Sequence, residues 1–137
     1  DLTNKNVELN FPGDSRHEAF AEDAFKYLDR MGDQYDLIIL DPPAFAKHTD
    51  ALRNALQGYR KLNAKAFEKI KPGGILFTFS CSQVVSKDNF RTAVFTAAAM
   101  SGRSVRILHQ LTQPADHPVN IYHPEGEYLK GLVLYVE

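Results

Sequence analysis

The sequence lacks the features that mark several classes of protein. It contains one cysteine in 137 residues, which excludes an internal disulfide and a metal site built from several cysteines. Its formal net charge is -1, so it has no overall basic field for holding nucleic acid by charge alone. No apolar run approaches the ~20 residues that span a membrane, and the first residues do not resemble a signal peptide. These absences indicate one globular domain, in a reducing, cytoplasmic setting, with no membrane partner.

Cofactor and metal motifs of the common kinds are absent too. The sequence has neither a Gly-x-Gly-x-x-Gly stretch nor a phosphate-binding loop. His117 and His123 lie in a polar loop, but their spacing to each other and to Asp116 does not match a zinc site. We therefore expect no bound metal.

The clearest structural signal is the stretch that ends at Asp41. Residues 37–40 form a continuous apolar run, which predicts a strand buried on both faces. Pro42 and Pro43 cannot donate to a sheet ladder, so the chain leaves the sheet with a carboxylate at the strand's carboxyl end. Open α/β sheets bind ligands at that edge, where Phe45 can offer a flat apolar face to a planar group. The alternative is a turn that Asp41 merely shapes.

The rest of the pattern predicts alternating helices and strands. Helices are expected up to Asn10 and over 24–31, 50–70 and 86–100, and strands over 17–21 (weakly), 35–40, 75–79, 105–111 and 129–136. Thr49 or Asp50 is expected to cap the third helix, and Pro72-Gly73-Gly74 to end it. Repeated strand–helix units predict an α/β fold, with a parallel sheet, helices on both faces, and the last two strands antiparallel.

Asp41 and Cys81 follow successive strands, so they are expected to meet at one edge of the sheet. Cys81 stands between two serines, which suggests a partly polar setting, although a cysteine is usually a small buried apolar residue. A nucleophilic thiolate would need a nearby positive or hydrogen-bond-donating group, for which Lys47 is one candidate. Asp23 follows the weak strand and is a third carboxylate at this edge, and it can at the same time be the N-cap of the next helix.

Several of these motifs resemble those of a known enzyme family. Asp41-Pro-Pro-Ala-Phe45 resembles motif IV of class I S-adenosylmethionine-dependent methyltransferases, and Glu22-Asp-Ala-Phe25 resembles their motif III. Ser80-Cys-Ser82 resembles motif VI of the RNA cytosine-5 methyltransferases. More narrowly, the chain resembles the 23S ribosomal RNA cytosine-5 methyltransferases that carry a PUA domain. That closer likeness rests on residues 58–63, 73–82, 115–118 and 124–131.

The resemblance implies a Rossmann-like class I methyltransferase sheet and methylation of carbon 5 of cytosine in large-subunit ribosomal RNA. It implies S-adenosylmethionine as the cofactor. It also assigns roles: Cys81 and Asp41 catalytic; Asp23, Ala24 and Asp41 at the cofactor; Pro42, Pro43, Phe45 and Lys47 at the substrate. Alternative functions are methylation of a base amino group or a guanine ring nitrogen, and a non-catalytic module that binds RNA or protein.

The chain also departs from the family's pattern. The glycine-rich first loop and the first two strands should precede residue 1, so residues 1–137 look like the C-terminal part of a catalytic domain. We expect this part to be inactive alone, to bind S-adenosylmethionine weakly, and to meet ribosomal RNA through the full-length enzyme. The family's strand order, 3-2-1-4-5-7-6, would leave residues 17–21 without a neighbour and the edge of the central strand bare. Such an edge favours a homodimer.

Overall fold

A computed structural model describes residues 1–32, 35–46 and 48–137, with Thr49 described in its backbone alone. Along the chain run α1 (Leu2–Asn10), α2 (Ala24–Arg30), β1 (Tyr35–Leu40), α3 (Leu52–Lys69), β2 (Ile70–Ser80), α4 (Lys87–Ser101), β3 (Val105–Leu111) and β4 (Lys130–Val136). Short 3₁₀ turns occupy Thr49–Ala51 and Pro124–Gly126. In the described ranges no helix is long and apolar enough to cross a membrane.

The four strands form one sheet in the order β1-β2-β4-β3. Strand β1 runs parallel to β2, and β4 runs antiparallel to both β2 and β3. This confirms the predicted α/β fold with an antiparallel final pair. It also matches the 4-5-7-6 part of the strand order that the resemblance implied. Because β1 and β2 are parallel, their carboxyl ends lie at the same edge of the sheet.

The hydrophobic core lies between one face of the sheet and helices α3 and α4. Helix α3 buries Tyr59 and Phe67 against it, α4 buries Phe90, and alternate strand residues such as Leu76 and Leu134 complete it. Helices α3 and α4 thus cover one face of the sheet, not both as predicted. The side chains of the core alternate along each strand with side chains on the opposite face, as the two-residue period of a strand requires.

The prediction that β1 is buried on both faces is therefore wrong. Leu40 points toward the helices and is buried, whereas Leu37 and Ile39 point to the other face and are 51% and 60% exposed. No described helix or strand covers that face or the outer edge of β1. An apolar run therefore ended up half exposed, since burial of a strand depends on its neighbours as much as on its own residues.

Three local predictions are also wrong. Residues 17–21 form no strand, because a strand needs a neighbour for its ladder of hydrogen bonds and none of the described strands lies beside them. The N-cap of α3 is Ala51, whose side chain cannot accept a hydrogen bond, so neither Thr49 nor Asp50 is the cap. Helix α3 ends at Lys69, and Pro72-Gly73-Gly74 lies inside β2.

Other local signals hold. The Asp23 carboxylate accepts a hydrogen bond from the Lys26 amide at 3.0 Å and caps α2. The Ser86 hydroxyl accepts one from the Asn89 amide at 3.1 Å and caps α4, which ends at Gly102 in the left-handed conformation, φ +67°. Caps of this kind satisfy backbone groups that a helix leaves unpaired at its ends, so they form locally wherever the helix forms.

Candidate functional site

The loops after β1 and β2 lie against each other, as the strand pattern predicted. Leu40, the last residue of β1, is paired in register with Thr78, two residues before the end of β2. The two loops therefore leave the sheet side by side. The Cys81 thiol donates to the backbone oxygen of Pro42 across 4.0 Å, a long contact of the kind sulfur makes. The structure thus brings the thiol next to the loop that Asp41 opens.

The serines on either side of Cys81 are structural tethers. The Ser80 hydroxyl donates to the Tyr59 hydroxyl at 2.9 Å, and the Ser82 hydroxyl donates to the backbone oxygen of Ala46 at 2.6 Å. Both serines are buried, while Cys81 between them is half-buried. The sequence suggested that the serines make the thiol's surroundings polar. Instead their hydroxyl groups anchor the loop to α3 and to the loop after β1, and leave the thiol to face a cleft.

Tyr59 supports this loop from the hydrophobic core. Its ring is fully buried between Phe45, with ring centroids 4.7 Å apart, and Phe90, with centroids 5.4 Å apart in an edge-to-face contact. Burial raises the pKa of the Tyr59 phenol, although the hydrogen bond with Ser80 partly opposes that effect. The phenol therefore stays neutral and acts as a hydrogen-bonding support.

Phe45 packs inward, toward α3. A Cβ atom at Gly58 would lie 3.0 Å from the Phe45 ring, so the absence of a side chain at Gly58 allows this close approach. Phe45 does not line the cleft beside Cys81. Its ring packs against α3 and so supports the loop after β1 from the core side.

The cleft beside Cys81 has a volume of about 480 Å³. The ends of β1 and β2 line one side and the loop between β3 and β4 lines the other: Asp41, Pro42, Pro43, Cys81, Gln113, Pro114, Asp116, His117, Tyr128 and Leu129. Asp41 is exposed, so its carboxylate is open to a ligand. The structure therefore joins four of the predicted residues, Asp41, Pro42, Pro43 and Cys81, in one concave site.

The β3–β4 loop is the part of this site that sequence reasoning missed. Gln113 organises it, because its side-chain oxygen accepts from the Tyr128 amide at 2.9 Å and its nitrogen donates to the His117 backbone oxygen at 3.3 Å. His117 Nδ1 lies 3.2 Å from the Asp116 carboxylate. The one available signal was that residues 115–118 and 124–131 carry part of the family resemblance. Among the described residues, no cluster of histidine, cysteine, aspartate or glutamate is suited to a metal.

Of the predicted cofactor residues, Asp41 lines this cleft, whereas Asp23 and Ala24 do not. Ala24 lines a separate apolar groove of about 380 Å³, between α2 and the outer edge of β1. Asp23 lines neither this groove nor the cleft beside Cys81, and its carboxylate caps α2. Lys47, the predicted cation and substrate residue, lies outside the described residues.

The sequence of the chain is similar to that of known proteins. No protein-family model matches the chain. The ribosomal RNA large subunit methyltransferase I of Cronobacter sakazakii is 42% identical over 139 residues, which cover 99% of this chain and 35% of that protein. The chain thus spans about a third of the length of the curated relatives it matches.

Solved structures share the fold. A protein of Streptococcus mutans described as a methyltransferase dependent on S-adenosylmethionine superposes with a TM-score of 0.79 at 23% identity, over 98% of this chain and 35% of that one. SMU.776, described as a methyltransferase in complex with SAH, superposes with a TM-score of 0.77 at 24% identity, over 98% of this chain and 36% of that one. The chain therefore has the α/β fold found in these class I methyltransferases, and its sequence is homologous to about a third of ribosomal RNA large subunit methyltransferase I.

Proposed function

We propose that this chain is the part of an S-adenosylmethionine-dependent methyltransferase that carries the catalytic cysteine, and that the enzyme methylates carbon 5 of a cytosine in large-subunit ribosomal RNA. The observation that carries the proposal is the cleft in which Cys81 and Asp41 meet at the carboxyl ends of two parallel strands. Relatives named as ribosomal RNA large subunit methyltransferases support the substrate class.

Cys81 supplies the nucleophile in this proposal. Its thiolate adds to carbon 6 of a cytosine that has been taken out of its stack, which makes carbon 5 nucleophilic. S-adenosylmethionine supplies the methyl group that carbon 5 takes up. Loss of the proton from carbon 5 then lets the bond between sulfur and carbon 6 break, which restores the aromatic base and the free thiolate. Neither Asp41 nor any other residue is assigned as the acceptor of that proton.

Asp41 holds the base in this proposal. Its exposed carboxylate at the mouth of the cleft can accept a hydrogen bond from the amino group of cytosine, or share a proton with the ring nitrogen N3. Pro42 and Pro43 line the cleft beside it with rigid backbone, which keeps the carboxylate in place. Phe45 stiffens this loop through its contact with Tyr59. We therefore assign base contact to Asp41, Pro42 and Pro43, and support to Phe45.

The cofactor fits this chain only in part. Asp23 and Ala24 would meet its adenine end, and Asp41 its reacting end, but neither Asp23 nor Ala24 lines the cleft beside Cys81. The chain also has no glycine-rich loop, where backbone N–H groups before a helix usually meet such a ligand. Weak binding of S-adenosylmethionine by the isolated chain therefore stays a prediction, and so do the roles of Asp23 and Ala24.

Replacement of Cys81 by alanine in the whole methyltransferase tests the proposal. We expect Cys81→Ala to abolish methylation of ribosomal RNA while cofactor affinity stays close to the wild-type value, because the thiol acts on the base alone. RNA with 5-fluorocytosine at the target should trap a covalent adduct on the wild-type enzyme, since fluorine cannot leave carbon 5 as a cation.

The same variant separates the alternative functions. A Cys81→Ala enzyme that methylates near the wild-type rate would overturn the covalent mechanism and favour a base amino group or a guanine ring nitrogen as the target. Wild-type enzyme without methyltransferase activity toward ribosomal RNA would favour a binding module instead. Asp41→Asn is the matched variant for the base contact, because it keeps the size of the side chain and removes its charge.

A further inference from the structure

Lys130 is the first residue of β4, and its side chain is buried. Its exposed fraction is 6%, and among the described residues it is the only charged side chain in the buried set. Lys130 pairs in register with Ser80, so it lies beside the end of β2 from which Cys81 follows. Its ammonium donates to the backbone oxygen of Ser82 at 2.5 Å. The buried cation thus contacts the residue directly after the candidate nucleophile.

Among the described residues, the ammonium has no carboxylate beside it to balance its charge. Within the described part of the chain, Lys130 forms no ion pair with an aspartate or glutamate, although a buried charge is costly unless it is paired. Burial lowers the pKa of Lys130, while a negative charge on Cys81 raises it. Cys81 directly precedes Ser82, whose backbone oxygen accepts the hydrogen bond from Lys130, so the ammonium lies against the residue next to the thiol. Electrostatic coupling between two groups is reciprocal. A thiolate at Cys81 favours the protonated form of Lys130, so the ammonium of Lys130 favours the thiolate by the same free energy.

We propose that Lys130 is a positioning residue for Cys81: its buried ammonium stabilises the thiolate and its hydrogen bond to Ser82 fixes the loop that carries the thiol. The inference rests on the proposed nucleophilic role of Cys81. Lys130 does not line the cleft that Cys81 faces. It acts from behind the thiol and does not touch the base. The proton that the thiol loses passes to solvent through the open cleft, and Lys130 keeps its own.

Among the described residues, the other ionisable groups around the thiol do not offer an equivalent charge. Asp41 and Asp116 line the cleft and carry negative charge, which opposes a thiolate, and the ring nitrogen Nδ1 of His117 lies 3.2 Å from the Asp116 carboxylate. Tyr59, from α3, interacts with Cys81 but is neutral. On α4, the exposed Lys87 is paired with Glu127.

Alkylation of the chain at different pH values tests the coupling, because Cys81 is its only cysteine and every modified thiol is this one. Only the thiolate reacts with iodoacetamide, so the rate against pH reports thiolate formation. We expect Lys130→Met to slow alkylation about tenfold at near-neutral pH, because the thiolate then has no ammonium behind it. Lys130→Arg should restore most of the rate, because it keeps the positive charge.

Lys87→Met is the matched control, since it removes one positive charge from the same neighbourhood at an exposed position. We expect this control to change the alkylation rate less than about twofold, because solvent screens exposed charges. A folded Lys130→Met chain with a wild-type pH profile would overturn the proposal. An equal change of the alkylation rate in Lys87→Met would also overturn the proposal, because any nearby positive charge would then have the effect that we assign to Lys130.

A second measurement covers the case in which Lys130→Met does not fold. Carbon NMR of the Lys130 side chain can follow its titration in the wild type and in Cys81→Ser, with Lys130 intact in both. We expect the titration midpoint of Lys130 to fall in Cys81→Ser, because the anion that favours the ammonium is gone. Equal midpoints would refute the coupling. Neither experiment uses RNA or cofactor, so the coupling can hold even if Cys81→Ala enzyme still methylates RNA and the covalent mechanism falls.

Discussion

The two ends of this molecule bury their helices to very different degrees. Helices α3 and α4 bury six and four residues against the sheet, whereas α2 buries only Leu28 and α1 buries none. Large apolar side chains in the first part stay exposed, such as Leu9 at 81% and Phe11 at 64%. The difference follows the sheet, because residues 35–137 contain all four described strands and residues 1–32 contain none. A helix gains stability mainly by packing an apolar face on a partner, so the sheet decides which helices are stable.

The candidate site belongs to the well-packed part. Cys81 lies between two buried serines, and the loop after β1 is attached to the same core through Tyr59 and Ala46. Asp23, the predicted cofactor residue, lies on the poorly packed part. Rigid elements hold reacting groups more accurately than loosely packed ones. The contrast therefore teaches that the core itself holds the thiol and the Asp41 carboxylate in place, whereas Asp23 lies on a part of the chain that packs fewer side chains against the sheet.

The largest effect that tests this contrast comes from the same substitution in the two parts. Phe67 is fully buried, so Phe67→Ala should lower the free energy of unfolding by about 3–5 kcal/mol through lost burial and a cavity. Phe11→Ala removes the same ring from an exposed position and should change it by less than about 0.5 kcal/mol. Denaturant unfolding followed by circular dichroism measures both. Similar losses of unfolding free energy in the two variants would show that the two parts are equally well packed.

A smaller effect is expected from the two helix caps. Ser86→Ala removes the cap of α4, a helix of the core, and should lower the free energy of global unfolding by about 1 kcal/mol. Asp23→Ala removes the cap of α2 and should leave global unfolding nearly unchanged, because α2 can unfold locally while the core persists. Amide hydrogen exchange should instead show faster exchange within α2. Equal global losses in the two variants would show that α2 unfolds together with the sheet.

The smallest effect concerns pH and the ion pair between Glu22 and Arg30. Hydrogen bonding to Arg30 lowers the pKa of Glu22 below its ordinary 4.5, so the folded chain releases that proton more readily than the unfolded chain. The pair therefore stabilises the first part above that ordinary value, and the stabilisation is lost as pH falls through the lowered pKa. Hydrogen exchange of the α2 amides should rise over this acidic range in the wild type, beyond the intrinsic dependence on pH, and not in Glu22→Gln. High salt should weaken the difference, because both side chains are on the surface.

Local chemistry explains which predictions from sequence held. Strand β3 has the predicted bounds, 105–111, and α4 lies between the predicted cap at Ser86 and the predicted stop at Gly102. A cap or a left-handed glycine is specified by residues a few positions apart, so a short stretch is enough to predict it. The expectation that Asp41 and Cys81 meet also held, because it needed only the strand pattern and the parallel rule.

Two of the failures share one cause, which is dependence on a distant partner. Residues 17–21 had a strand-like composition and Leu37 and Ile39 an apolar pattern, but the described residues supply no strand beside the first and no layer over the second. The homodimer proposed through the edge of β1 stays a prediction for the same reason. Lys130 opens an apolar strand, and no short-range signal distinguishes a buried lysine there from an exposed one.

The sequence by itself thus determined the order of helices and strands from α2 to β4, the ends of α4, and the sheet edge at which the thiol and the Asp41 carboxylate meet. Those features depend on side-chain periodicity and on hydrogen bonds between near neighbours. Only the tertiary structure decided that the serines beside Cys81 are tethers, that the β3–β4 loop closes the cleft, and that Lys130 lies buried behind the thiol. Two of the contacts, from Ser82 to Ala46 and from Lys130 to Ser82, join residues 36 and 48 positions apart, so the packing of the strands, and not their local pattern, brings them together.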